Sequence, residues 1–214
     1  MNEIIILINI IITGMLLLTM YHFYEKKGLY IFLIIVTILS YLTSFGVSTI
    51  IGTDINTSIL FFPYILLTEY LIISKYPKEK HNKLKNYISL TTLITLITLL
   101  IICIYNPIET SIHSLDLKKI FLDNYIILLV YPLSIVLTII LSEKIIPYLK
   151  KIYNNKFITQ ILIYVILSPI SLITMFAYSP LIAIKTYMLG LILTAINVPL
   201  INYILTKKKV TEWT

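Results

Sequence analysis

The chain has 214 residues, of which 58% are apolar and only 13% charged, and its mean hydropathy is +0.94. That composition excludes an ordinary soluble domain and specifies an all-α, polytopic membrane protein. The formal net charge of +7 comes from 17 lysines and no arginine, so the guanidinium forks that grip phosphates in pairs are absent and no nucleic-acid partner is expected.

Apolar runs long enough to cross a bilayer predict seven helices in one membrane domain, residues 1–214, at about 4–23, 29–51, 58–76, 87–105, 125–145, 157–178 and 181–205. The opening Met1-Asn2-Glu3 carries an acid and no lysine, and no small-residue cleavage site follows, so the first run is expected to be a retained helix. Lysines then alternate between loops. Lys26 and Lys27 fill the first loop and the second has none; the third holds Lys75, Lys78, Lys80, Lys83 and Lys85. Lys118 and Lys119 share the fourth with Glu109, Asp116 and Asp123. The fifth holds Lys144, Lys150, Lys151 and Lys156, the sixth has none, and the tail ends with Lys207, Lys208 and Lys209. Alternate loops therefore carry fourteen lysines on one side and two on the other, with Lys185 inside the last span. The positive-inside rule puts the fourteen in the cytoplasm, the N-terminus outside and the C-terminus inside, as in a multi-pass protein of the cell membrane.

Glu69 lies in the third run, about eleven residues into its span. At roughly 1.5 Å per residue in a hydrocarbon core of about 30 Å, that position is close to the midplane. A carboxylate there must face protein or a water-filled cavity, and such groups mark pathways, relays or binding sites. Its own helical face runs through Phe62, Ile65, Ile72, Ile73 and Tyr76, with no basic residue, so its partner must come from another helix, water or a ligand.

Hydroxyl and amide residues recur at helical spacing in five other spans. Thr37, Tyr41, Ser44 and Ser48 align on the second, and Thr91, Thr95 and Thr98 on the fourth. Tyr131, Ser134, Thr138 and Ser142 align on the fifth, Gln160, Tyr164, Ser168 and Ser171 on the sixth, and Thr186, Gly190, Thr194 and Asn197 on the seventh. Each stripe alone can be a packing face, because small and hydroxyl residues let membrane helices approach. Together with Glu69 they predict a polar central cavity.

The remaining signals read as structural. Lys185 can snorkel to the outer interface, and Glu143, beside Lys144 at the inner end of its span, is expected to be solvated. Pro63, Pro132, Pro169 and Pro199 lie within spans and can bend them. His22, His81 and His113 show no metal-site spacing; Cys103 is alone, so neither a disulfide nor a thiolate metal site is expected; Trp213 reads as an interfacial anchor. No cofactor motif or nucleotide-binding loop occurs. With no paired acid, His cluster or Ser–His constellation within the spans, the chain is not expected to be an enzyme.

The third run and its loop, FFPYILLTEYLIISKYPKEK, resemble the queuosine precursor transporter (VUT) family through Phe62-Pro63, Thr68, Tyr76 and Lys78, with Glu69 where that family has Asp. The opening, with its basic turn YEKKGLY, and the closing Thr186-Tyr187 and Pro199 are similar to the same family. The chain departs from that family where its second-span Asn, later Glu, Gly, sixth-span Gln and Asp, and seventh-span Lys and acid are replaced at about Tyr41, Ser74, Pro77, Tyr164, Leu167, Gly190 and Asn197. The resemblance implies a small-molecule uptake transporter for a 7-deazaguanine-type precursor. A planar heterocycle would stack on Tyr41, Tyr64, Tyr131 or Tyr164 and bond to Glu69, Gln160 and Asn197, with Thr68 and Thr95 in support. The alternative is a membrane-embedded scaffold or interaction subunit that keeps the fold without transport.

Overall fold

Glu25 divides the first long helix. In the computed structural model, which describes residues 2–44, 46–50, 52–76, 86, 89–95, 97 and 125–206, helix α1 (Asn2–Thr43) breaks at Glu25, where φ is 44° and ψ is −117°. L-residues rarely adopt that conformation. Gly28 packs so near Met20 that a Cβ would collide with the Met20 carbonyl. In an unbroken helix residues eight apart stand about 12 Å apart, so the chain has reversed direction, and the arms 2–24 and 26–43 take the place of the first two predicted spans.

The second arm stops at Thr43, eight residues before the predicted end of its span at residue 51. Strands β1 (Val47–Ile50) and β2 (Thr53–Asn56) follow as an antiparallel hairpin in which Ile50 pairs with Thr53. The β-branched run Val47, Thr49, Ile50 favours a strand, and Gly52 takes φ 68° in the two-residue loop at no steric cost. Ser48 therefore leaves the predicted helical stripe for a strand. The hairpin also closes the helix end. Thr57 Oγ1 donates to the Thr43 carbonyl at 2.6 Å and Asn56 Nδ2 to the Ser44 carbonyl at 2.7 Å, satisfying acceptors that the last turn leaves open.

A 3-10 turn (Thr57–Leu60) leads into α2 (Phe62–Lys75). Pro63 occupies the first turn of α2, where its missing N–H is harmless, rather than bending a span as expected. Three more helices complete the described fold: α3 (Tyr125–Ile152), α4 (Lys156–Tyr178) and α5 (Pro180–Thr206). α4 and α5 match the sixth and seventh predicted spans to within one residue, whereas α3 runs seven residues beyond the predicted end at 145. Pro132 and Pro147 lie inside α3, Pro169 inside α4 and Pro199 inside α5. Residues 89–95 are helical. Apart from residue 97, the rest of the fourth predicted span, with Thr98 and Cys103, lies outside the described residues, as do His81, Lys83, His113, Asp116 and Trp213.

About 89% of the structure is helical, and five of its helices are long and apolar enough to cross a membrane. The outward faces suit lipid: Ile4, Leu7 and Ile12 on α1, Leu133 on α3 and Met188 on α5 are all exposed. The inward faces carry the polar stripes, the reverse of a water-soluble bundle. α2 is the central element, packed by α1, α3, α4 and α5, and its residues from Phe62 to Ile72 are all buried.

Lysines gather at one end. Lys75, closing α2, donates to the Tyr21 hydroxyl beside the Glu25 turn, and Lys26 lies 5.3 Å from the Tyr76 ring. Lys150 and Lys156 share a cavity with Lys75. The hairpin sits at the other end of the second arm, where the Asn56 N–H donates to Thr186 Oγ1 at 3.0 Å, next to Lys185.

Candidate functional site

The polar stripes are buried as their spacing predicts, yet most of their hydroxyls are spent on their own helices. Thr37 donates to the Leu33 carbonyl, Thr138 to Ser134 and Thr194 to Gly190; Ser134, Ser142 and Ser171 donate to carbonyls three residues back. Such back-bonding satisfies a hydroxyl in an apolar interior without a ligand. The unsatisfied polar atoms concentrate elsewhere, on α2 and α4.

Glu69 is 1% exposed, and neither carboxylate oxygen has a hydrogen-bond partner among the described residues. Its neighbours are Ser142 and Glu143 of α3. Ser142 approaches but donates to the Ile139 carbonyl at 2.7 Å, leaving the carboxylate unserved. Glu143 is only half-buried, but its Oε1 is enclosed and its charge acts on Glu69. Expected to be solvated beside Lys144, Glu143 keeps intermediate exposure, and its place near Glu69 is a pairing across helices that the spans alone did not reveal. The pairing was hidden because register between α2 and α3 decides it, and sequence spacing within one helix does not.

Thr68, adjacent to Glu69, is fully buried with its hydroxyl unpartnered among the described residues. Gln160 is 1% exposed, lies beside Tyr70 of α2, and leaves both amide atoms without partners among the described residues. The Ser168 hydroxyl on the same face of α4 is equally unpartnered among them. Tyr164, between Gln160 and Ser168, packs edge-on against Phe62 with centroids 6.5 Å apart and donates to the Tyr187 carbonyl at 3.2 Å. Phe62 and Glu69 are seven residues apart, two turns of helix, so they share a face of α2 about 10 Å apart along its axis. Along α2 and α4, then, lie an enclosed carboxylate, an amide and two hydroxyls without partners among the described residues, with the Phe62–Tyr164 pair about two turns of α2 from Glu69.

The other candidates lie apart from that seam. Tyr41 stacks on Tyr131 at 6.4 Å with planes 9° apart, and the Tyr131 hydroxyl bonds Ser40 at 2.7 Å, so both rings already have partners. Thr95 donates to the Thr91 carbonyl. Asn197 Nδ2 donates to the Leu193 carbonyl at 2.8 Å, and its neighbour is Tyr64, whose hydroxyl reaches the Ile10 carbonyl on the first arm of α1. Five residues along α2 at 100° each place Tyr64 about 140° around the helix from Glu69, which leaves Asn197 on a different flank. No grouping of His, Cys, Asp and Glu among the described residues could hold a metal ion.

No protein-family model, no curated protein and no solved structure matches this chain.

Proposed function

We propose that the chain is a seven-helix transporter of the plasma membrane that takes up a small planar heterocycle, with its N-terminus outside and its C-terminus in the cytoplasm. Glu69 carries the reading: a carboxylate at mid-membrane depth, enclosed by protein, whose oxygens have no hydrogen-bond partner among the described residues. An enclosed, unserved carboxylate costs several kcal/mol. A ligand that supplies N–H groups removes that cost, and Gln160 offers a donor and an acceptor to the same ligand. Tyr164 and Phe62, packed edge-on, add aromatic surface about two turns of α2 from Glu69. A 7-deazaguanine of the queuosine precursor type, the substrate class implied by the third-span resemblance, has ring N–H and amino groups that the Glu69 carboxylate would accept. The seven-span count is supported by the reversal at Glu25, and the orientation by the lysines gathered at one end.

The test is uptake of a labelled 7-deazaguanine by cells that lack their own precursor transporter. Cells expressing the chain are expected to accumulate it, and Glu69→Gln, which keeps volume while replacing the carboxylate, is expected to abolish accumulation at unchanged membrane levels. No uptake by correctly inserted protein rejects the substrate class; undiminished uptake by the variant rejects the site.

A scaffold role is the second reading, favoured by the stripe hydroxyls that bond their own helices. It makes the opposite forecast for Glu69→Leu. A scaffold gains stability when an unserved buried charge becomes an apolar side chain and keeps its function, whereas a transporter loses uptake.

A further inference from the structure

At the lysine-rich end, a cavity of about 310 Å³ opens between the end of α2, the end of α3 and the start of α4. Each of these elements contributes one lysine: Lys75 from α2, Lys150 from α3 and Lys156 from α4. No carboxylate lines the cavity among the described residues. Lys150 lies 5.9 Å from the centre of the Tyr70 ring, which walls the cavity on the α2 side, and Lys156 lines the same cavity near enough for the two charges to repel. Ser74 lines the same space, and its enclosed hydroxyl has no partner among the described residues.

Solvated lysines that only mark topology spread apart, because like charges repel. Here Lys150 and Lys156, exposed at its rim, share one concavity with Lys75, whose ammonium also donates to Tyr21, beside the Ser74 hydroxyl, which has no acceptor among the described residues. We propose that this cavity binds a phosphate group. A phosphate ester brings one to two negative charges and several acceptor oxygens, enough to offset the repulsion between Lys150 and Lys156 and to take the Ser74 hydrogen. The volume lies at the lower end of the range for small-ligand sites, about 300–1,000 Å³, and fits a headgroup or a free phosphate. Lysine serves here as a point charge, which suits a tetrahedral anion approached from several sides. Basic pockets between helices at the membrane surface hold anionic lipid headgroups by the same chemistry.

The source of the phosphate is decided on the full-length protein in a neutral detergent. One arm follows adducts of phosphatidylglycerol against phosphatidylcholine by native mass spectrometry. The other follows thermal stability in inorganic phosphate against chloride at equal ionic strength. Preferential retention of phosphatidylglycerol, weakened on the order of tenfold in Lys150→Gln/Lys156→Gln but unaltered in Lys185→Gln, identifies a lipid headgroup. Stabilisation by phosphate with no lipid preference, lost in the double variant, identifies a soluble phosphate. Equal retention of both lipids together with no phosphate-specific stabilisation of the unmodified protein overturns the proposal, whether or not the double variant folds. So does a double variant that folds and binds unchanged. Neither result bears on uptake through Glu69, which is assayed separately.

Discussion

Glu69 of α2 lies within electrostatic reach of Glu143 of α3, with Ser142 beside it. Glu69 is enclosed, and its carboxylate oxygens, which accept hydrogen bonds, have no partner among the described residues, so they call for a donor. Ser142 supplies none, because its hydrogen goes to the Ile139 carbonyl. A ligand N–H group would answer the Glu69 carboxylate.

Because the charge of Glu143 acts on Glu69, Glu143→Gln is expected to change uptake through Glu69. If the two acids act together, the double variant falls short of the sum of the single effects, with a coupling on the order of 0.5–3 kcal/mol in a double-mutant cycle on transport. Strict additivity, or normal uptake by Glu143→Gln, would show that Glu143 stands near Glu69 without sharing its role.

The topology gives a prediction independent of substrate. Asp54 is exposed in the hairpin, at the end of the second arm opposite the Lys26 turn. With Cys103 replaced by Ser, a cysteine at position 54 is expected to react with an impermeant thiol reagent on intact cells, and one at Lys83 only after permeabilisation. Labelling at 83 but not at 54 would invert the orientation.

The spans were legible because their apolar runs and lysine ends are large, additive signals. α4 and α5 begin and end within one residue of expectation. The inward face of each helix was legible too, since Thr138, Tyr164, Ser168, Thr186 and Asn197 are all buried as their spacing requires. Hydrophobicity misled at Val47–Ile50, because an apolar β-branched run reads equally as the end of a span or as a strand. Local side-chain bonds from Asn56 and Thr57 decide the issue there. At the candidate site, Glu69, Thr68 and Gln160 were found from polarity against an apolar background, and all three lack hydrogen-bond partners for their side-chain polar atoms among the described residues. The partners across helices, Glu143 for Glu69 and Tyr131 for Tyr41, depend on rotation and register, which a single sequence does not encode locally.

Gly190 tests the packing of the same bundle. A Cβ there would collide with the Tyr164 hydroxyl and with Ile59, and would lie 2.7 Å from Tyr164 Cζ. Tyr164 is fully buried and cannot swing aside without repacking against Phe62. Gly190→Ala is expected to destabilise the detergent-solubilised protein by about 1–3 kcal/mol, read as a lower melting temperature, despite the better helix propensity of Ala. A neutral or stabilising outcome would mean that α4 and α5 pack less closely than described.

The hairpin is pinned to α5 by one buried bond, from the Asn56 N–H to Thr186 Oγ1 at 3.0 Å. Asn56 is doubly committed, since its side chain accepts from the Ser58 N–H and donates to the Ser44 carbonyl. Its backbone N–H therefore has Thr186 as its acceptor, and the exchange Thr186→Val keeps the shape while removing that oxygen. A buried donor left unpaired costs about 1–3 kcal/mol, so Thr186→Val is expected to lower the melting temperature, whereas Thr186→Ser, which retains the acceptor, loses less. Hydrogen exchange adds a local reading: the amide of residue 56 should lose protection in Thr186→Val and keep it in Thr186→Ser. Equal protection in both variants would show that the hairpin is held by the Thr43 and Ser44 carbonyls alone and that its bond to α5 is incidental.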